Sequence, residues 1–349
     1  MKIREIAKIP APEIKRNDMG KGYIGIISMV LSLGLLFLSM TLSVAQGSVS
    51  LPYKVVWDAI FHFDRGNSNH LIVMDLRLPR TAASALVGAA FGVSGAIMQG
   101  VTKNPMADSG LLGINAGAAF ALSISFALAP GSGYLRMIFF SFLGAAFSTI
   151  LVNGISLFRG GSSPMRLVLA GVAVSALLTA LSQGIALYFD VAQSIMFWTA
   201  GGLSGSSWNQ VRILTPWITC ALAGAILLSP SISLLSLGED VAKGLGLHTT
   251  LIKLLCSLLV LILAGASVSV AGAVSFVGLV IPHLARSLVG IDYRIIIPFS
   301  AVLGAVLMVF ADLGSRLLNP PFETPVGVLT ALIGVPFFLY LARKQRRAL

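Results

Sequence analysis

The sequence predicts an all-α integral membrane protein of about ten transmembrane helices. Three observations carry that reading. Hydrophobic residues make up 56% of the 349 and charged residues 11%, against about 25% charged in an ordinary soluble domain. Several apolar runs reach the roughly 20 residues a helix needs to cross the hydrocarbon core. The strand-like alternation of a membrane barrel is missing, and lipid tolerates only helices and closed barrels as spanning structures.

The spans are expected at 23–45, 81–100, 111–129, 135–157, 165–189, 210–229, 251–271, 274–289, 295–313 and 326–342. The first follows a basic segment, 1–22, holding Lys2, Arg4, Lys8, Lys15, Arg16 and Lys21. Its apolar run, Tyr23 to Val44, exceeds the roughly 7–15 residues of a signal-peptide core, so it is read as an uncleaved span. Residues 46–80 are mixed in character and form an external segment. The second span is entered through Arg77 and Arg80, which bracket Pro79, and left through the polar loop Lys103-Asn104-Pro105. Residues 190–209, rich in glycine and serine, are expected as a short helix with loops on the outer face. Residues 230–250 form a cytoplasmic segment. The eighth span is the weakest, being short and containing Pro282. The organisation is thus one ten-helix transmembrane unit, 23–345, with a basic leader and a tail, 346–349.

Charge orients the bundle. With both termini cytoplasmic, 17 of the 24 basic residues fall inside, among them Lys103, Arg159, Arg166, Lys243, Lys253, Arg286 and Arg294. That asymmetry follows the positive-inside rule and accounts for the net charge of +11 without a nucleic-acid partner. Trp57, Trp198, Trp208 and Trp217 fall near the outer surface, as an aromatic belt would. Cys220 and Cys256 lie in apolar segments and read as inert thiols. Shifting residues 88–113 by 177 positions aligns Gly88 with Gly265, Gly95 with Gly272, Pro105 with Pro282 and Gly113 with Gly290. Such a correspondence would join halves of opposite orientation, an inverted repeat of the transporter kind.

Chemistry is sparse. No GxxxxGK[ST] phosphate loop is present, so the chain is not expected to hydrolyse ATP or to be an enzyme. No HExxH or Cys/His cluster indicates a metal, and no cofactor is expected. Ionisable groups within the spans are few and lie near their ends, which disfavours an ion-coupled secondary transporter. Asp312 and Arg316 sit four apart and could pair. GxxxG spacings occur at Gly88/Gly92, Gly113/Gly117 and Gly201/Gly205, a pattern that lets helices approach closely. Residues 238–247 read as a short helix with Glu239 and Asp240 in its first turn and Gly244 or Gly246 as its C-terminal cap.

Four stretches together resemble one family. They are residues 75–113, the acidic, glycine-rich 238–247, Gly278–Arg286 (GLVIPHLAR), and Asp312–Arg316 followed by Thr324-Pro325-Val326-Gly327 and Gly334-Val335-Pro336-Phe337. The pattern is similar to the FecCD-type permeases of binding-protein-dependent ABC importers for ferric siderophores, haem and vitamin B12. It covers about residues 25–345. The loop departs from the family pattern, reading Asn104-Pro105-Met106-Ala107-Asp108-Ser109 where the family commonly has Leu and a second Pro.

The resemblance implies a vitamin B12 importer permease-like fold of type II importers, in the bacterial cytoplasmic (inner) membrane. It implies two ATP-binding subunits inside, a second permease, identical or homologous, and an extracytoplasmic substrate-binding protein. Ferric siderophore is the first-choice cargo, with vitamin B12 and haem open. Arg77, Arg80 and Arg316 would meet acidic residues of the binding protein. Gly238, Glu239, Asp240, Lys243, Gly244 and Gly246 would couple to the ATPase. Gly88, Gly92, Gly95, Gln99, Asn104, Pro105 and Pro282 would serve the pathway or its packing.

Overall fold

Small side chains set the spacing of this bundle. The computed structural model describes residues 17–346, apart from 48, 130, 132, 158–163 and 321. The basic residues of the leader before 17, Arg159 and tail residues 347–349 lie outside the described residues. In chain order the helices are α1 (Asn17–Ala45), α2 (Tyr53–Phe61) and α3 (Ser68–Leu71). The last runs through a π-helical stretch, Ile72–Arg77, into α4 (Leu78–Thr102). After a 3-10 turn, Ser109–Leu112, come α5 (Ile114–Leu128), α6 (Tyr134–Leu157), α7 (Pro164–Tyr188) and α8 (Ala192–Ala200). The chain finishes with α9 (Trp208–Leu237), α10 (Glu239–Gly244), α11 (Thr249–Ala271), α12 (Val277–Val289), α13 (Tyr293–Leu317) and α14 (Val326–Arg346). Ten of these helices fall on the ten expected spans, and seven are long and apolar enough to cross a membrane on length and composition.

α4 is the axis, with α9, α11, α12 and α13 packed around it. Its sequence is dominated by Ala, Gly and Ser, so neighbouring backbones come into contact. A β-carbon at Gly88 would lie 2.2 Å from the Gly304 carbonyl oxygen of α13, and one at Gly92 2.4 Å from that of Ser300. One at Gly95 would lie 1.9 Å from the Gly278 carbonyl oxygen of α12. Gly117 and Gly144 make the same reciprocal approach between α5 and α6.

Four expectations change. The second span starts earlier, because the helix is continuous from Ser68 through the π turn. α9 continues through Pro216 and Pro230 to Leu237, so the first part of 230–250 is helix and not loop. Gly201 and Gly205 do not form a helical GxxxG. Gly201 ends α8 with φ +75°, and Gly205 lies in the following loop. Finally, α12 has 13 residues, roughly 20 Å at 1.5 Å per residue, short of a core about 30 Å thick. Its first turn lies beside Phe91 and Gly95, midway along α4. The 177-residue correspondence does pair two left-handed glycines, Gly113 (φ +69°) and Gly290 (φ +88°), each just before a helix. It also pairs α12 with residues 100–112, which are mostly loop and 3-10 turn, so the two halves differ there.

Candidate functional site

Charged residues gather at the two ends of the bundle. At one end the last turns of α1 and α13 meet the first turn of α4. Asp312 is fully buried there and lies between two guanidinium groups: Arg80 Nε donates to its Oδ1 at 2.8 Å, and Arg316 Nη2 stands 3.1 Å from its Oδ2. Arg80 also makes a two-pronged contact to Glu323, at 2.6 and 3.0 Å. Such a fork is the strongest way a guanidinium binds a carboxylate. Arg316 further donates to the Ser43 carbonyl at 3.1 Å and the Ser43 hydroxyl at 2.6 Å, which tethers α1. Arg77 donates to the carbonyls of Val44 and Ala45, both at 2.8 Å, and to that of Val49, pinning the corner after α1.

Arg77, Arg80 and Arg316 are expected from the family pattern as outward contacts, yet each is only 6–8% exposed and donates hydrogen bonds within this chain. The expected Asp312–Arg316 pair is present. Glu323, whose side chain is 40% exposed, is the member of the cluster that the sequence does not reveal. It sits in an irregular turn, and its partner is 243 residues away. The available signal is weak: a buried acid with two nearby cations leaves one charge to be balanced. Arg80 and Glu323 also line a cleft of about 630 Å³, together with Trp198, Gly201 and Gly205 from the α8 region.

At the other end α9 turns sharply into α10 at Gly238 (φ +143°). Gly246 N donates to Lys243 O and Leu247 N to Ala242 O, both at 2.9 Å, with φ +83° at Gly246. That pair of bonds is a Schellman closure, so Gly246 supplies the left-handed cap and Gly244 is ordinary helix. Glu239 accepts from Lys253 Nζ at 2.7 Å and lies 3.2 Å from Lys243 Nζ. The hydrogen bond from Lys253 is the main reason its carboxyl is held down at about 2. Leu237, Val241 and Leu245 remain exposed around this turn, and a β-carbon at Gly244 would meet nothing within 4 Å.

The residues assigned to the pathway or its packing are mostly internal. Gly88, Gly92 and Gly95 are helix contacts, as above. Gln99 donates to the carbonyls of Gly278 and Leu279, at 3.2 and 3.3 Å, and accepts from Arg286, tying α4 to α12. Pro282 is buried within α12. Asn104 folds its own loop, its Oδ1 accepting from Met106 N at 2.9 Å across Pro105. In the same loop Asp108 accepts from the Ser109 hydroxyl at 3.1 Å, and burial pushes its carboxyl above the usual range.

Residues 35–344 match the model of the FecCD transport family. The iron(3+)-hydroxamate import system permease protein FhuB of Bacillus subtilis (strain 168) is 52% identical over 94% of this chain and 85% of the relative. The ferric enterobactin transport system permease protein FepD of Escherichia coli (strain K12) is 39% identical over 90% of this chain and 94% of the relative. Among solved structures, one described as an inward-facing conformation of a metal-chelate type ABC transporter superposes with a TM-score of 0.81. It is 28% identical and is matched over 90% of this chain and 98% of that one.

Proposed function

The chain belongs to the FecCD transport family, and we propose that it is the permease subunit of an ATP-driven importer whose cargo is a ferric hydroxamate siderophore. The observation that carries the cargo assignment is the 52% identity to a hydroxamate permease across nearly the whole chain. In this reading residues 23–345 form one permease unit in the bacterial cytoplasmic membrane with both termini inside. A second permease, two ATP-binding subunits and an external substrate-binding protein complete the assembly.

The coupling contact falls at the α9–α10 turn. Exposed Leu237, Val241 and Leu245 offer an apolar face, and open space at Gly244 leaves room for a partner's backbone or side chain. Glu239, tied to Lys243 and Lys253, fixes the angle of that face and need not touch the partner. ATP binding can drive transport only if the ATPase grips one arrangement of this face more tightly than another. At the opposite end, Arg80 and Arg316 shape the docking surface while holding α1, α4 and α13 together. Direct contact of either with a binding protein would require a bond to Asp312 or Glu323 to open. Charge reversal at these arginines would therefore act first on the fold.

The test is uptake of labelled ferric hydroxamate by cells with and without this chain, with ferric enterobactin, ferric citrate, vitamin B12 and haem alongside. Loss of hydroxamate uptake alone is the expected result. Loss of another cargo instead would retain the importer and replace the substrate. Failure of an ATP-binding subunit to copurify with the chain would overturn the importer itself.

A further inference from the structure

We infer that α2 is an interfacial anchor: a short helix laid along the membrane surface at the arginine end of the bundle, with an aromatic arc inserted among lipid headgroups. The position follows from lengths. The apolar part of α1, Gly25–Ala45, has 21 residues, which at 1.5 Å each just crosses a core of roughly 30 Å. Ala45 therefore lies at the hydrocarbon boundary, and α2 begins eight positions later, at Tyr53.

α2 is held there firmly. Val56 and Ala59 pack with Val44, Ala45, Leu51 and Val73 in a small core separate from the main one. The corner between α1 and α2 is fixed by the three carbonyl contacts of Arg77. A helix fixed in this way presents its remaining faces at a constant height.

Those faces divide cleanly. At about 100° per residue, Val55, Val56 and Ala59 form the side turned to the protein. Tyr53, Trp57, Ile60 and Phe61 occupy an adjoining arc of about 100°, all exposed, with Trp57 at 53% and Phe61 at 66%. The Trp57 and Phe61 rings stack at 5.2 Å and 10°. Lys54 and Asp58 complete the circle, and Asp58 lies 3.4 Å from His62 and 3.6 Å from His70. A purely water-facing helix would not carry the aromatic arc, and a buried one would not carry the polar edge. Three sectors in this order fit a helix with protein on one side, lipid below and water above.

Continuity favours lipid over a protein partner. Leu35, Phe37 and Leu38 of α1 are exposed along the adjoining span. A second half-exposed tryptophan, Trp208, bonds Met74 O at 2.7 Å in the π stretch that α2 packs against. Tryptophan is enriched at membrane–water interfaces, where its amphipathic ring sits at headgroup level.

The experiment uses the full chain carrying Trp198→Phe, Trp208→Phe and Trp217→Phe, so that Trp57 alone reports, in phosphatidylcholine–phosphatidylglycerol vesicles. Phosphatidylcholine brominated near the top of its acyl chains is expected to remove most of the Trp57 emission. Lipid brominated near the chain ends should remove less, and aqueous acrylamide least. Because loss of the Trp208 hydrogen bond could disturb the region, spin labels on Ile60→Cys and Lys54→Cys in a Cys220→Ser background give a second reading. The Ile60→Cys label should be relaxed by oxygen and the Lys54→Cys label by an aqueous nickel chelate. Efficient acrylamide quenching with no lipid quenching, or equal nickel access at both labels, overturns the anchor. If the external binding protein, and not lipid, shields Trp57, the arc is a docking face and the anchor is likewise wrong.

Discussion

The two ends of the bundle carry charge clusters that look alike on paper and differ in kind. At the arginine end Asp312 has no exposed surface, and Arg80 and Arg316 are nearly as buried. At the α10 end Lys243 is open to water, Glu239 is partly exposed, and Lys253 is buried. Removing one member of a buried set leaves the others charged in a poor solvent, while an exposed set is rehydrated at small cost. The first cluster therefore holds helices together, and the second stands beside the exposed side chains of Leu237, Val241 and Leu245.

That contrast is sharpest at Asp312. Asp312→Ala should destabilise the chain by about 3–5 kcal/mol, since Arg316 would be left buried without a counter-charge. Thermal unfolding of the purified protein in detergent measures this, and an unchanged midpoint would break the distinction between the ends. The double variant Asp312→Leu, Arg316→Met should recover part of the loss.

Glycines give the second comparison. Gly95→Ala drives a methyl group into the Gly278 carbonyl and should cost about 1–3 kcal/mol by overpacking. Gly244→Leu meets open space and should leave the unfolding midpoint in place. Its effect should appear only in the assembly, as ATP hydrolysis that continues while uptake falls. Normal coupled uptake in Gly244→Leu would count against the proposed ATPase contact.

The smallest effect is expected at Glu239. Glu239→Gln should cost about 1 kcal/mol, the upper end for an exposed pair, because Glu239 is partly exposed while its main partner Lys253 is buried. The folded-state pKa is lowered from 4.5 to about 2, so the carboxylate's contribution is complete above 4.5 and disappears as pH falls through about 2. Unfolding midpoints of the parent and Glu239→Gln should therefore differ at neutral pH and converge across that window. A difference that persists at the acid end would show that Glu239 acts by packing and not by charge.

Much of this was legible before any coordinates. Hydropathy marks all ten long or intermediate helices, because lipid forces each to satisfy its own backbone. The α10 turn is legible too, since acids in a first turn and glycine at the close are local rules. Other features resist local reading. The short α12 is apolar enough to pass for a span, and only its contact with the middle of α4 reveals that its first turn lies halfway along that helix. Gly201 and Gly205 have helical spacing without a helix, since left-handed backbone at Gly201 ends α8. Glu323 sits in an irregular turn with no periodicity to mark it.

By itself, the sequence determined that this is a multi-pass helical membrane protein and roughly where its ten apolar helices run, because these depend on composition and on patterns within a few turns of chain; the family came from the resemblance of four motif stretches taken together. Tertiary structure alone decided what the arginines bond within this chain. The family resemblance points them to an external partner, and the spacing of Asp312 and Arg316 to an internal one. The choice is made by carboxylates 232 and 243 residues from Arg80 along the chain, brought within 3 Å of it only when α4 and α13 close on their glycines.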